Sequence, residues 1–128
     1  MKLHVAIALA TDADEEFLRP GAIQLLESIE RTGSIQQAAR ALSVSYVKAL
    51  DVLNRMERGL GQSLLIRRKG GAARGGATLT LHALGLMREF AVLRRKVDRS
   101  AAAAFGVFAG KCGAAAEGAG RRRAGSVP

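Results

Sequence analysis

The sequence predicts a mainly α fold with a small β part. It is arranged as a winged helix-turn-helix with a leading N-terminal strand, a two-stranded wing and a long C-terminal dimerisation helix. Three observations predict this. Three apolar-faced segments follow one another between residues 20 and 60, punctuated by glycine and serine. Two short apolar stretches, residues 64–66 and 77–79, then flank ten residues that hold four glycines and four cations. Finally, Ala83, Leu86, Phe90, Leu93 and Val97 recur at heptad-like spacing.

The composition bounds the problem. A chain of 128 residues fits one domain, and 48% apolar residues suffice for a core. Lys and Arg number 20 against 11 Asp and Glu, a net charge of +9 with a pI near 11.0. That balance favours a polyanionic partner, either nucleic acid or an anionic membrane surface. One cysteine excludes a disulfide scaffold and a cysteine-based zinc cluster. No apolar run approaches the roughly 18 residues of a membrane span. The charge is also segregated. Residues 1–18 carry −3, residues 19–99 carry +9 from 15 basic and 6 acidic side chains, and residues 100–128 carry +3. The middle block therefore sets the field.

The leading segment alternates Leu3, Val5, Ile7 and Leu9 with His4, Ala6 and Ala8, the period of a half-buried strand. Its apolar stretch is short, broken by His4, and runs into the acidic residues 12–16. This reads as a strand rather than a secretion signal and places the chain in the cytoplasm. The acidic residues read as a solvated connection. Pro20 then opens a helix at an early position, with Ala22, Leu25, Leu26 and Ile29 inward and Glu27, Glu30 and Arg31 outward. Gly33 ends it as a left-handed cap.

Ser34, with Gln37 three residues on, starts a short second helix as a capping box. Its face of Ile35, Ala38, Ala39 and Leu42 is small enough for close packing. Residues 43–45 form a tight break, and Ser45 caps a third helix over residues 46–60, stopped by Gly59 and Gly61. Ala49, Val52, Leu53, Met56 and Leu60 fall on its inner side. Val47, Lys48, Asp51, Asn54, Arg55 and Arg58 fall outside. Donors, acceptors and one methyl-sized group are what base edges in a major groove require. The same face also fits a helix side turned to solvent.

The order of helix, short helix, break and polar-faced helix is that of a helix-turn-helix. The cationic loop of Arg67, Arg68, Lys69 and Arg74 among glycines reads as a wing for phosphates or a minor groove. A surface loop of the same composition is the alternative. Thr80 caps the last helix, which extends through residues 101–104 to Phe105 and Phe108. Leu86, Phe90, Leu93 and Val97 form a dimer seam on it, unless the seam packs back on its own domain. Residues 1–108 thus make one DNA-binding and dimerisation domain. Residues 109–128 read as a disordered Gly/Ala/Arg tail.

These motifs resemble the N-terminal DNA-binding domain of ModE-type molybdate-responsive regulators, whose winged helix is similar to that of the LysR family. The resemblance spans roughly residues 3–108. It rests on Gly33-Ser34-Ile35-Gln36-Gln37-Ala38-Ala39, on Val44-Ser45-Tyr46 with Ala49 and Asp51, on Asn54 and Met56, and on the wing through Gly75-Gly76-Ala77-Thr78-Leu79-Thr80. It implies a homodimer on duplex DNA that regulates transcription. Three departures stand out. Val47-Lys48 replaces a Lys-then-small pattern, with Leu50 in place of a tryptophan. Ala72-Ala73-Arg74 stands where relatives are richer in glycine. The molybdate-binding β-barrels of full-length relatives have no counterpart in the tail, so no small-molecule effector site is expected.

Under this reading Lys48, Asn54 and Arg55 contact bases or lie near them, and Ser34, Gln36 and Tyr46 hold phosphates. Arg67, Arg68, Lys69 and Arg74 grip the flanking backbone, while Ser45, Val47 and Asp51 complete the DNA-facing set. Nothing points to an enzyme, a cofactor or a metal. His4 and His82 have no ligand spacing, Cys112 reads as an incidental thiol, and the glycine pairs lack the strand, helix and Lys-Ser/Thr of a nucleotide loop. No helix is both strongly basic and strongly amphipathic on its free face, which disfavours membrane-surface binding. The alternative function is a winged-helix protein-interaction module, or a modulator that heterodimerises with a full-length relative.

Overall fold

The computed structural model describes residues 1–68 and 76–113. In chain order it contains β1 (Leu9–Ala10), β2 (Glu16–Leu18), α1 (Ala22–Thr32), α2 (Ile35–Ala41), α3 (Tyr46–Leu60), β3 (Leu65–Arg67), β4 (Ala77–Leu79) and α4 (Leu81–Phe108), followed by a π-helical turn, Ala109–Gly113. The chain divides into two compact units. One is Ala6–Ala91; the other joins Met1–Val5 to the segment from Val92 onward.

The first unit opens with a hairpin that the sequence does not announce. The expected strand over residues 3–9 shrinks to β1, which pairs antiparallel with the three-residue β2. Val5, Ile7 and Leu9 are half-buried between exposed neighbours, so the alternation is real, but only Leu9 and Ala10 find a pairing partner. The acidic connection is in fact the hairpin turn. The Thr11 N–H donates to the Glu15 carbonyl at 2.9 Å, and the Thr11 hydroxyl accepts from the N–H groups of Ala13 and Glu15 at 3.3 and 3.2 Å. Asp14 takes φ 68° within it, a conformation its short polar side chain tolerates. β2 matters because Leu18 is fully buried.

α1 begins later than expected. Pro20 lies in the preceding turn, where the Ala22 N–H donates to the Arg19 carbonyl at 2.9 Å, and Gly21 supplies the turn with φ 103°. Ala22, Leu25, Leu26 and Ile29 are buried as expected, and Ser28 is buried with them. Gly33 closes the helix at φ 73°, its N–H donating to the Ile29 carbonyl at 2.7 Å. Ser34 then caps α2, its hydroxyl accepting from the Gln37 N–H at 3.1 Å. Ser45 caps α3 in the same way, accepting from the Lys48 N–H at 3.0 Å.

α3 spans the expected residues. Ala49, Leu53 and Met56 are fully buried, and Val52 and Leu60 pack at the edge of the core. Gly59 does not stop the helix; it lies inside it, and Gly61 in the left-handed region is the C-cap. The role of Gly59 is steric: a Cβ there would run into the Phe17 side chain of β2. The hairpin is thereby seated directly on α3.

β3 and β4 pair antiparallel, with Leu65 opposite Leu79 and Arg67 opposite Ala77. The Thr80 hydroxyl donates to the Ser63 carbonyl at 2.8 Å and accepts from the Ala83 N–H at 3.2 Å, so one side chain closes the hairpin and caps α4. The core centres on Leu18, Leu26, Ile29, Ile35, Leu53, Met56 and Leu64, all essentially inaccessible to water. Each contributes about 1.5–3 kcal/mol of burial.

In the second unit, Met1, Lys2 and Leu3 share an apolar hollow with Ala101, Ala104, Phe105 and Phe108. The rings of Phe105 and Phe108 stack with centroids 6.3 Å apart. Ala109–Gly113 continue in a helical turn instead of beginning a tail, because Gly113 is buried against Met1. The expectation of disorder for residues 114–128 lies outside the described residues.

Candidate nucleic-acid interface

The outer face of α3 is built by subtraction. With Ala49, Leu53 and Met56 buried, 3.6-residue periodicity turns Val47, Asp51, Asn54 and Arg58 to the opposite side. Val47 is 75% exposed, and Lys48, Asn54 and Arg58 are exposed with it. Asp51 and Arg55 are half-buried and joined: Arg55 Nη2 donates to Asp51 Oδ2 at 2.8 Å. Lys48 and Arg55 sit on the flank of the helix, along a cleft of about 430 Å³ that also contains Phe17, Arg19, Leu25 and Val52. The face thus presents a methyl pair, an amide, a carboxylate and cations on one rigid rod. Arg58 was placed on this side by the sequence but left out of its site. Its spacing of four from Asn54 and seven from Asp51 is the signal that includes it.

A second group forms at the α1–α2 turn. Ser34 is largely buried and serves as the cap. Gln36 is exposed beside it. Thr32, which the sequence reading passed over, holds this turn. Its hydroxyl donates to the Ser28 carbonyl at 2.8 Å and accepts from the Ser34 N–H at 3.4 Å. Tyr46 and Ser45 are exposed at the start of α3.

The wing is stitched to that turn. The Ala77 N–H donates to the Gly33 carbonyl at 3.0 Å, Ser34 bridges to Gly76, and the Arg68 N–H donates to the Gly76 carbonyl at 2.9 Å. Arg68 Nη2 lies 4.0 Å from where a Cβ on Gly33 would stand. The Arg68 guanidinium therefore lies beside Gly33, at the turn that leads into Ser34, a proximity that 35 positions of sequence separation conceal. Arg67 is exposed at the end of β3. Lys69 and Arg74 fall outside the described residues.

The expected seam divides. Ala83 is buried and Leu86 and Phe90 pack against the core of their own unit, whereas Leu93 is 39% exposed and Val97 is half-buried in the other unit. Among the described residues no group of three or more His, Cys, Asp or Glu is arranged to hold a metal ion. No helix among them is long and apolar enough to cross a membrane.

Three helices with a polar-faced third, followed by a hairpin bonded back to the helical turn, define a winged helix-turn-helix. Residues 21–83 match the family of bacterial regulatory helix-turn-helix proteins of the lysR type. It is 39% identical over 84 residues to the transcriptional regulator ModE of Haemophilus influenzae, covering 66% of this chain and 33% of that protein. It is 43% identical over 58 residues to the molybdenum transport protein ModE of Azotobacter vinelandii, covering 45% of this chain and 22% of that one. The chain thus spans a third or less of the length of these relatives. A crystal structure of a CbnR DNA-binding domain in complex with DNA is similar at 26% identity and a TM-score of 0.49, over 65% of this chain and 94% of that one.

Proposed function

We propose that the chain binds duplex DNA sequence-specifically as a homodimer in the cytoplasm and regulates transcription, through binding rather than catalysis. The observation that carries this reading is the attachment of the wing to the α1–α2 turn. It brings the Arg68 side chain beside Gly33, next to the turn that carries Ser34 and Gln36, and so supports reading these three as phosphate contacts. The outer face of α3 enters the major groove, where Lys48, Asn54, Arg55 and Arg58 offer donors to base edges and Val47 a methyl contact. Tyr46 and Ser45 lie at the backbone, and Arg67, Lys69 and Arg74 extend the grip along it. Two-fold pairing through Leu93 and Val97 sets two such helices on half-sites one helical turn, or a multiple, apart. The names of the relatives make molybdenum metabolism the natural setting for the genes controlled.

Titration of a labelled duplex across salt tests the reading. With about six phosphates neutralised per dimer, log K falls against log salt with a slope near −5. Lys48→Ala reduces discrimination between sites, while Arg68→Ala weakens all duplexes alike. A slope close to zero overturns the proposal and leaves a protein partner for the same helix.

A further inference from the structure

Asp51 sets a problem for any duplex-binding reading. It stands at the centre of the α3 face formed by Val47, Asn54 and Arg58, on a chain of net charge +9. A carboxylate there repels every phosphate that the face approaches. Its ion pair with Arg55 does not explain it as a stabilising device. The side chains are 46% and 42% exposed, and an exposed i,i+4 pair adds little to stability. The 2.8 Å contact instead ties the Arg55 guanidinium to the carboxylate, along the helix.

We propose, resting on the duplex-binding reading above, that Asp51 is a specificity-determining residue that works by exclusion. In a major groove its carboxylate is an acceptor only. It is satisfied where a base presents an exocyclic amino group, N4 of cytosine or N6 of adenine. Opposite guanine O6 or thymine O4 it meets a second acceptor, and the oxygen that faces the base is left without a base donor. Sites lacking the amino group are rejected, as are sequence-independent poses that lay α3 on phosphates. Specificity of this kind comes from penalising wrong partners rather than from tightening the right one. Asp51 also positions Arg55: with one guanidinium N–H given to the carboxylate, Arg55 is held back from the nearest phosphate.

The test compares the parent with Asp51→Asn and Asp51→Glu. Bound fragments are selected from randomised duplexes, and Kd is then measured on the selected and a random duplex across salt. Asn keeps the size and removes the charge. It is expected to bind random duplex severalfold tighter, to steepen its salt slope by about one unit as Arg55 reaches a phosphate, and to lower the selected-to-random ratio at least tenfold. Glu keeps the charge and is expected to leave random binding as weak as in the parent. Asn with an unchanged ratio overturns the inference, as does equal loss on both duplexes, or Glu binding random duplex as tightly as Asn. In each of those cases the parent still binds DNA and the functional reading stands. If the parent itself shows no salt-dependent duplex binding, both fall together.

Discussion

α3 and α4 are both amphipathic, yet they use their apolar sides differently. In α3 the inner residues Ala49, Leu53 and Met56 are sealed within their own unit, with Val52 and Leu60 packed at the edge of the core. In α4 only the first turns are engaged: Ala83 is buried, and Leu86, Met87 and Phe90 pack against the core. Farther along, Leu93, Val107 and Phe108 remain exposed. A helix whose apolar side is fully occupied offers its polar side to a ligand, and its position is rigidly set by the core behind it. A helix with unoccupied apolar residues leaves that surface to water. The difference separates a helix whose buried side is filled from one that still exposes apolar residues.

The largest expected effect tests the first half of that contrast. Leu53→Ala removes a fully buried side chain behind the outer face of α3 and is expected to cost about 3 kcal/mol in urea unfolding. A loss well under 1 kcal/mol would mean that α3 is not anchored as described. The second half is sharpened by Leu93→Asp combined with Val97→Asp. Sedimentation should show dimer dissociation strengthened about thirtyfold, roughly 2 kcal/mol, with the melting of residues 6–91 unmoved. An unchanged mass distribution would return the seam to its own subunit.

Gly59→Ala probes how α3 is seated. Alanine favours a helix by about 1 kcal/mol over glycine, so a solvent-facing site would gain stability. Contact with Phe17 reverses the sign, and a loss of about 1–2 kcal/mol is expected from thermal unfolding. The smallest effect belongs to the helix start. Ser45→Ala removes the acceptor for the Lys48 N–H and should cost about 1 kcal/mol, which the Asp replacement restores. Amide exchange confined to the first turn of α3 would locate that loss.

The helices were legible because their signals are local. Ser34 and Ser45 cap, Gly33 and Gly61 terminate, and the 3.6-residue recurrence of apolar side chains orients each face; all these act within a few residues along the chain. The outer face of α3 follows from the same periodicity, which sets Val47, Lys48, Asp51, Asn54 and Arg55 away from the buried side. The β1–β2 hairpin was not legible. Its strands are two and three residues long, and its turn is made by Thr11 bonds to a segment that reads as an acidic connection.

What the amino-acid order determined by itself was therefore the set of helices, the wing strands and the chemistry of the outward faces, because hydrogen bonding and side-chain periodicity are short-range. Only the tertiary structure decided that Gly59 receives Phe17, that Arg68 joins Ser34 across the wing base, and that α4 uses part of its apolar side internally. Those outcomes depend on which distant surfaces pack together, and packing is a property of the whole fold that no window of sequence contains.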